Sequence, residues 1–445
     1  MSVILDPDEC PARAAIPLIA GDGERAIAFA GGRVRTVAGF RDDVARLAAT
    51  LPSPGAMVNL CEDRYRFLVA FAAAIARGHP VLLPGSRAPE VVAEVLAREA
   101  NAYRCDDAMV DASAAATPVA LVDAIDPAFV AVHGYTSGST GVPKRHAKRW
   151  GAFAETTRRN ADCIAAALRE HGHAGQAQVV ATVPPQHMYG IETSVLLPLV
   201  GGLAVHSGKP LFPADVAHAL AEMPAPRVLV TTPVHLRALV HADVAVPPLA
   251  LVLSATAPLT AALAREAEAA LGAPILEMFG STETCVIATR RTARGESWQP
   301  QPGVRLEPRP DGVLVHAPWL DEPTPLLDLV ELEPGGHFVL RGRNTDLLEI
   351  AGKRASLAEL TRRVLSIEGV RDAVVFQPDG EGPVRRVAAL VVAPGLDAAI
   401  IAARLRDAVD PAFVPRPIVV VDALPRNEVG KLPREQLLAA LRGER

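Results

Sequence analysis

Residues 129–145 read Phe129-Val130-Ala131-Val132-His133-Gly134-Tyr135-Thr136-Ser137-Gly138-Ser139-Thr140-Gly141-Val142-Pro143-Lys144-Arg145. The apolar run Phe129 to Val132 has the length and composition of a buried strand. It opens into a loop of glycines and hydroxyls closed by Pro143, Lys144 and Arg145. Gly138 and Gly141 allow backbone N–H groups to approach an anion closely. Thr136, Ser137, Ser139 and Thr140 add hydroxyl donors, and Lys144 adds a positive charge. The spacing from Gly138 through Gly141 to Lys144 does not fit the Walker A loop. A Gly/Ser/Thr loop taken alone is more often a surface turn than a ligand site; the strand before it and the lysine after it move the reading toward a phosphate cradle.

Working outward, strand and helix alternate. A hairpin is expected at Ile27–Phe29 and Val34–Val37 around Gly31-Gly32, then a helix over Asp42–Thr50. Met57–Leu60 reads as a buried strand, Tyr65–Arg77 as a helix, His79–Leu83 as a strand and Glu90–Glu99 as a helix. After the loop, Trp150–Glu170 has the period of a long amphipathic helix. Strands follow at Val179–Val183, Val228–Thr232, Leu249–Ser254 and Ile275–Phe279, with an apolar helix at Ile191–Val200. This alternation predicts βαβ units and a parallel sheet, whose ligands sit outside the carboxyl ends of the strands. The polar strand ends at Thr232, Ser254-Ala255 and Gly280-Ser281-Thr282-Glu283 are therefore candidates to share one crevice.

From Pro300 to Arg341 short strands and turns dominate, and beyond Arg343 the chain reads as a compact α+β unit. The domain reading is 1–343 and 344–445, because a small self-contained core can be assembled after the junction.

Composition narrows the function. The 445 residues are 50% hydrophobic and 21% charged with a net charge of −5, which describes a globular chain with no electrostatic footprint for nucleic acid or an anionic membrane. No apolar run reaches bilayer length, so stable membrane insertion is not expected. The first residues, Met1 to Glu9, lack the basic and apolar regions of a signal peptide. Five scattered cysteines with no C-x-x-C pair read as reduced thiols, and a cytoplasmic location is expected.

Five ordered segments together resemble the adenylate-forming superfamily: acyl-CoA synthetases, aryl-acid ligases and peptide-synthetase adenylation domains. They are the stretch just quoted, Phe279-Gly280-Ser281-Thr282-Glu283, Asp328 with Gly342-Arg343, Gly352-Lys353-Arg354 with Glu359, and the loop Leu424 to Lys431. The resemblance implies a large N-terminal domain of stacked α/β subdomains, with parallel-rich sheets and a small β-barrel-like part, and a small mobile α+β C-terminal domain. It implies that a carboxylic acid and MgATP form an acyl-adenylate and pyrophosphate, and that the thiol of CoA or of a carrier protein's phosphopantetheine then takes the acyl group. In that scheme Thr136 to Lys144 would hold the β- and γ-phosphates, Thr282 the α-phosphate, and Glu283 the Mg2+. Asp328 would take the ribose hydroxyls with Arg343 alongside, Phe279 to Ser281 would line the nucleotide site, and Lys431 would bridge the two reacting groups. A Thr-Glu pair after a strand is otherwise the start of a helix, with Thr282 as N-cap.

Departures from the family pattern bear on specificity. Thr345 replaces the usual hinge acid and Glu349 reverses the sign of the usual lysine, so the second half-reaction is less constrained than the first; Asn427 stands for the common Thr. His187-Met188-Tyr189-Gly190 resembles the H-x-x-G segment in which His gates the acid pocket; an imidazole capping the next helix is the alternative. Met188 lies where amino-acid-activating relatives carry an Asp, which favours a neutral-tailed acid over an amino acid. His187, Thr193, Thr232, Ser254, Ala255 and Met278 are the candidate acid-pocket residues. Pro185 to Thr193 is similar to the small ligases of bacterial aryl-polyene pathways, which load an aryl acid such as 4-hydroxybenzoate onto a carrier protein. An amino-acid adenylation enzyme and a non-catalytic adenylate-binding homologue are the competing readings.

Overall fold

In the computed structural model the described residues are 14–84, 86–136, 144–309, 312–343, 347–350, 353–378, 387–406, 409, 411–427 and 430–443. Ser137, Gly138, Ser139, Thr140, Gly141 and Thr345 lie outside them, and Thr136, Lys144, Arg343 and Glu349 are described by backbone alone. The strand Val130–Thr136 has Ala131 and Val132 fully buried, as its apolar composition requires. It belongs to a five-stranded sheet ordered Ala102–Cys105, Ala56–Asn59, Val81–Leu83, Val130–Thr136, Lys144–Arg149. The first four strands are parallel and the last is antiparallel. Thr136 pairs with Lys144, so the glycine-rich segment joins two neighbouring strands of one sheet.

A larger sheet carries, side by side, Cys285–Arg290, Ile275–Ser281, Leu251–Ser254, Arg227–Thr231, Gln178–Ala181, Ala204–His206, Ala26–Ala30 and Arg33–Thr36. The six central strands are parallel and each flanking strand is antiparallel. The helix Arg64–Ala76 is buried on nearly every side, which its all-round apolar sequence demands. At its first position Arg64 is fully buried. Its guanidinium donates to the carbonyls of Ala181 (3.0 Å) and Val183 (2.9 Å) and to the Ser194 hydroxyl (2.5 Å). Burial lowers its pKa to about 10, still well above neutral, so the charge is retained.

The helix expected at Ile191–Val200 starts earlier and is not uniform: Met188–Ile191 is α-helical, Glu192–Leu196 is wound as a π-helix, and Leu197–Val200 is α-helical again. Thr193 and Ser194 donate their hydroxyls to the carbonyls of Tyr189 and Gly190 (both 2.6 Å), a back-bonding that competes with the regular ladder. Three helices, Pro213–Ala221, Pro233–Val240 and Ala261–Leu271, occupy a region whose sequence had yielded only strands.

The chain divides into two compact units, residues up to Arg294 with Trp319–Asp321, and Gly295–Pro318 with Glu322–Arg445. Within the second, the strands Arg305–Arg309, Gly312–His316 and Thr324–Leu326 form an antiparallel sheet, and Asp328–Leu332 pairs with Phe338–Arg343 as a hairpin. Further on, Asp372–Phe376, Ala388–Val392 and Ile418–Val420 form a mixed sheet with the helices Leu357–Leu365, Ala398–Arg406 and Arg434–Arg442. Among the described residues no helix is long and apolar enough to cross a membrane.

Gly190 sits where a Cβ would fall 1.9 Å from the Pro184 carbonyl oxygen, so the helical turn Met188–Ile191 packs directly on the chain that follows the strand Gln178–Ala181. Gly190→Ala is expected to cost about 1–3 kcal/mol or more through this overlap with backbone, read as a lower midpoint in urea at unchanged slope.

Candidate active site

The first unit brings together the end of Val130–Thr136, the strand Lys144–Arg149 and the turn at Thr282-Glu283. That turn joins two antiparallel strands, Ile275–Ser281 and Cys285–Arg290. Thr282 is therefore not a helix N-cap, and the bland reading of the Thr-Glu pair fails. Gly280 makes the turn possible: a Cβ there would lie 2.0 Å from the Cys285 carbonyl oxygen, beside a bulge in the ladder. Gly134 plays the matching part across the gap, its Cα facing the Thr282 methyl, 3.4 Å from where a Cβ would stand, and the Met188 side chain at 3.8 Å. The strand leading into the glycine-rich segment is thus packed on the Thr-Glu turn.

His146 and Lys148 share one face of their strand. From that face His146 Nε2 lies 3.4 Å from Glu283 Oε1, and Lys148 Nζ donates to the Glu283 carbonyl oxygen at 2.5 Å. Burial alone would raise the Glu283 carboxyl. Its own backbone N–H, the Ser281 hydroxyl and the neighbouring His146 and Lys148 outweigh that and hold it below the ordinary carboxylate range. The side chain keeps 34% of its surface exposed. Among the described residues no three His, Cys, Asp or Glu side chains cluster as a metal cage. One ionised, accessible carboxylate is what Mg2+ uses when it keeps several waters and shares itself with phosphates, so Glu283 fits that cation.

Behind the turn, Glu192 is fully buried in the π-wound segment. Its Oε2 accepts from the Val286 N–H (3.2 Å) and the Asn160 amide (3.4 Å). Burial pushes its pKa up to about 7, against the opposing pull of these donors and of Lys148. Cys285, between Glu192 and Lys148, is raised to about 12 by burial and sits at φ 59°. Neither Lys148 nor Glu192 stands out in the sequence. The segment Lys144-Arg145-His146-Ala147-Lys148-Arg149 reads as a solvated basic stretch, and nothing in it marks Lys148 as buried.

The strand ends form a second row. Thr231, Ser254 and Glu277 are cross-strand neighbours, all buried; Thr231 and Ser254 end their strands, and Glu277 lies within Ile275–Ser281 where its parallel pairing stops. Thr182 Oγ1 lies 3.0 Å from Thr231 Oγ1 and 2.9 Å from His235 Nδ1. Glu277 takes the Arg290 guanidinium at 2.7 Å and the Thr292 hydroxyl at 2.5 Å. Ser254 Oγ is buried without a hydrogen-bond partner, next to Ala255 and to Thr256 at φ 78°, a strained conformation for a β-branched residue. Met278 is buried in the following strand. Thr232 caps the helix Pro233–Val240, accepting from His235 N–H at 3.4 Å, and the Thr193 hydroxyl is committed to Tyr189. His187 holds the N-cap position before Met188 and makes no side-chain cap hydrogen bond, so the capping alternative fails for it. Phe279 is half-buried and Gly280 exposed.

In the second unit the register places Asp328 directly opposite Arg343. Gly342, at φ 128°, has no room for a side chain, because a Cβ would approach the Ser356 hydroxyl to 2.3 Å. The exposed Lys431 ends a tight loop: Asn427 accepts its backbone N–H through Oδ1 (2.9 Å) and donates its own N–H to the Lys431 carbonyl (2.8 Å). Arg426 anchors that loop through paired bonds of 3.1 and 3.0 Å to Asp372 and one of 2.8 Å to the Gly430 carbonyl.

Comparison with known proteins agrees with this architecture. The family described as AMP-binding enzyme matches residues 83–310. The chain is 29% identical over 305 residues to a 4-coumarate–CoA ligase of Cereibacter sphaeroides, covering 67% of this chain and 69% of that one. It is 33% identical over 121 residues to a salicylyl-CoA synthase / salicylate adenylyltransferase of Streptomyces and 32% identical over 121 residues to the medium/long-chain-fatty-acid–[acyl-carrier-protein] ligase FadD10 of Mycobacterium tuberculosis. These matches cover 26% and 25% of this chain, and 22% of the length of each relative. The fold is shared with ATP-bound MatB from Rhodopseudomonas palustris (TM-score 0.77, 19% identity, 95% of this chain and 97% of that one). It is shared equally with o-succinylbenzoate-CoA synthetase MenE from Bacillus subtilis in complex with ATP and magnesium (TM-score 0.77, 19% identity, 93% and 96%). The fold is that of adenylate-forming enzymes. The chain belongs to the AMP-binding enzyme family.

The buried Glu192 gives a test of this geometry. Its proton is held more tightly folded than unfolded, so its favourable contribution is complete below pH about 4.5 and is lost as the pH rises through about 7. Glu192→Gln removes that dependence. Its stability relative to wild type is expected to improve by up to about 3 kcal/mol between pH 4.5 and 7.5, followed by denaturant melts across that range.

Proposed function

We propose that this protein activates a carboxylic acid with MgATP as an acyl-adenylate, releasing pyrophosphate, and passes the acyl group to the thiol of CoA or of a carrier protein. The observation that carries the reading is Glu283: an accessible carboxylate held ionised beside Thr282, on a turn packed against the strand that enters the glycine-rich segment. A carboxylate and a triphosphate repel each other, so such a site has to neutralise both and align them. Mg2+ at Glu283 would screen the phosphates when bound. Thr282 is assigned to the α-phosphate, and Thr136, Ser137, Gly138, Ser139, Thr140, Gly141 and Lys144 to the pyrophosphate leaving group. Asp328 is assigned to the ribose hydroxyls, Arg343 beside it. Lys431 is assigned to the developing charge between carboxylate and α-phosphate. We place the moving boundary at 343/344 with Thr345 as hinge.

For the acid we favour a neutral-tailed aryl acid of the 4-hydroxybenzoate type. Met188 supplies no charge for an α-ammonium group, and the unpartnered Ser254 hydroxyl suits a ligand with a hydrogen-bonding substituent. That 4-coumarate–CoA and salicylate enzymes are among the relatives supports an aryl acid, and the acyl-carrier ligase among them supports a carrier protein as one acceptor. Pyrophosphate exchange with a panel of aryl acids, fatty acids and amino acids tests the first half-reaction, and mass analysis of thioesters formed with CoA or carrier protein tests the second. Exchange confined to amino acids would overturn the choice of acid.

Lys431→Ala is expected to abolish adenylation, a fall of at least about 100-fold in exchange rate, while ATP still binds by calorimetry. Near-normal exchange in that variant would remove Lys431 from the chemistry.

A further inference from the structure

The Thr282-Glu283 turn is held through its peptide groups, which bond to hydroxyls of its own flanking residues and to side chains from elsewhere in the fold. Glu283 and Thr284 N–H groups both donate to the Ser281 hydroxyl at 3.2 Å, and Ser281 N–H donates to Thr284 Oγ1 at 3.1 Å. The Thr284 carbonyl takes the Trp319 indole N–H at 2.8 Å, and the Cys285 carbonyl takes the Thr284 hydroxyl at 2.9 Å. The Val286 N–H goes to Glu192. The Glu283 carbonyl takes the ammonium of Lys148.

That last contact is unusual in cost. Lys148 is only 7% exposed, and an ammonium taken from water is expensive unless its charge and donors are used. A methionine would fill the same space without that cost. Here the ammonium lies by the Cys285 thiol, within the field of Glu192, and spends its short hydrogen bond on a main-chain oxygen. The Glu283 carboxylate, one residue-length away, is held by its own backbone N–H, the Ser281 hydroxyl and the neighbouring His146, and keeps 34% of its surface exposed. A lysine placed to neutralise the carboxylate would compete with a cation for it. A lysine on the carbonyl fixes the peptide plane instead and leaves the carboxylate oxygens available. Lys148 also lies on the strand that begins at Lys144, so a single strand runs from the close of the glycine-rich segment to the Thr-Glu turn.

We propose that Lys148 is a positioning residue for the metal-binding carboxylate: by holding the Glu283 carbonyl it sets the place of that carboxylate relative to the strand that closes the 137–143 segment. This rests on the assignment of Glu283 to Mg2+. Glu192 and Trp319 brace the same turn from its far side, through Val286 and Thr284.

The test is calorimetric titration of the full-length protein with ATP, no acid present, once in EDTA and once in excess MgCl2. The quantity read is the factor by which Mg2+ tightens ATP binding. In Lys148→Met that factor is expected to fall by roughly 10-fold or more, the usual effect of losing an outer partner of a metal ligand, while ATP affinity in EDTA stays within about 2-fold of wild type. In pyrophosphate exchange the same variant raises the half-saturating Mg2+ more than it lowers the rate at saturating Mg2+. Lys148→Gln, whose amide can still donate to the carbonyl, loses less and carries the test should the methionine variant not fold. Glu283→Gln separates the two levels. If it abolishes the Mg2+ factor while Lys148→Met and Lys148→Gln leave it intact, the positioning role is wrong and the Glu283 assignment stands. If Glu283→Gln itself keeps the wild-type factor, the assignment falls and the proposal with it. Equal loss of ATP affinity with and without Mg2+ in the Lys148 variants would make the lysine merely structural and overturn the proposal.

Discussion

The turn after the strand Ile275–Ser281 depends on a backbone approach that only glycine permits. At Gly280 two peptide chains run so close that a methyl group would overlap the Cys285 carbonyl, and the ladder bulges to allow it. The bulge turns the chain back sharply enough for Thr282 and Glu283 to project toward Gly134 and His146 rather than along the sheet. With the side chains so aimed, fixing them falls to their surroundings, and five side chains, Ser281, Thr284, Lys148, Glu192 and Trp319, bind the turn's amides and carbonyls. The positioning is pre-set in the folded chain, before any ligand binds, which is the condition for an electrostatic site to act without rearranging.

The same device recurs at the start of the π-wound helix. Gly190 packs on Pro184, and Arg64 gathers the carbonyls of Ala181 and Val183 together with the Ser194 hydroxyl. An unpaired guanidinium at that depth would be costly; three oxygens accept from its two terminal nitrogens, its Nε stays buried without a partner, and the nearby Asp63 carboxylate opposes the burial that lowers its pKa. The result is a firm joint between a strand end and the helix carrying Glu192, so the far brace of the Thr-Glu turn is itself braced.

Much of this was legible in the sequence, and the failures are instructive. Trp150–Glu170 matches its expected bounds because its apolar period is clean over 21 residues. The βαβ alternation predicted the parallel sheets because buried parallel strands are apolar throughout and end abruptly in Pro and hydroxyl residues. The helices at 213–221, 233–240 and 261–271 escaped because each is only 8 to 11 residues long, too few turns to display a period, and two of them open on a proline that reads as a turn. The π-winding at Glu192–Leu196 escaped because its cause is a pair of hydroxyls bonding backward, which pattern does not encode. At the site, glycines and motif residues were visible because chemistry restricts their type. Lys148 and Glu192 were not, since a lone charge in a strand or helix reads as solvated unless the fold is known to bury it.

The hairpin Asp328–Leu332 with Phe338–Arg343 puts the two residues of a family motif face to face across strands. In sequence the pair is recognised by an interval of fifteen, 343 − 328. The fold attaches no importance to that interval. The tip at Pro334–Gly336 could lengthen freely, and the two residues would remain partners as long as the ladder kept its register. A single residue gained inside either strand without a compensating bulge would send them to opposite faces. Distant members of the family are therefore better compared by which residues stand opposite each other than by how many lie between.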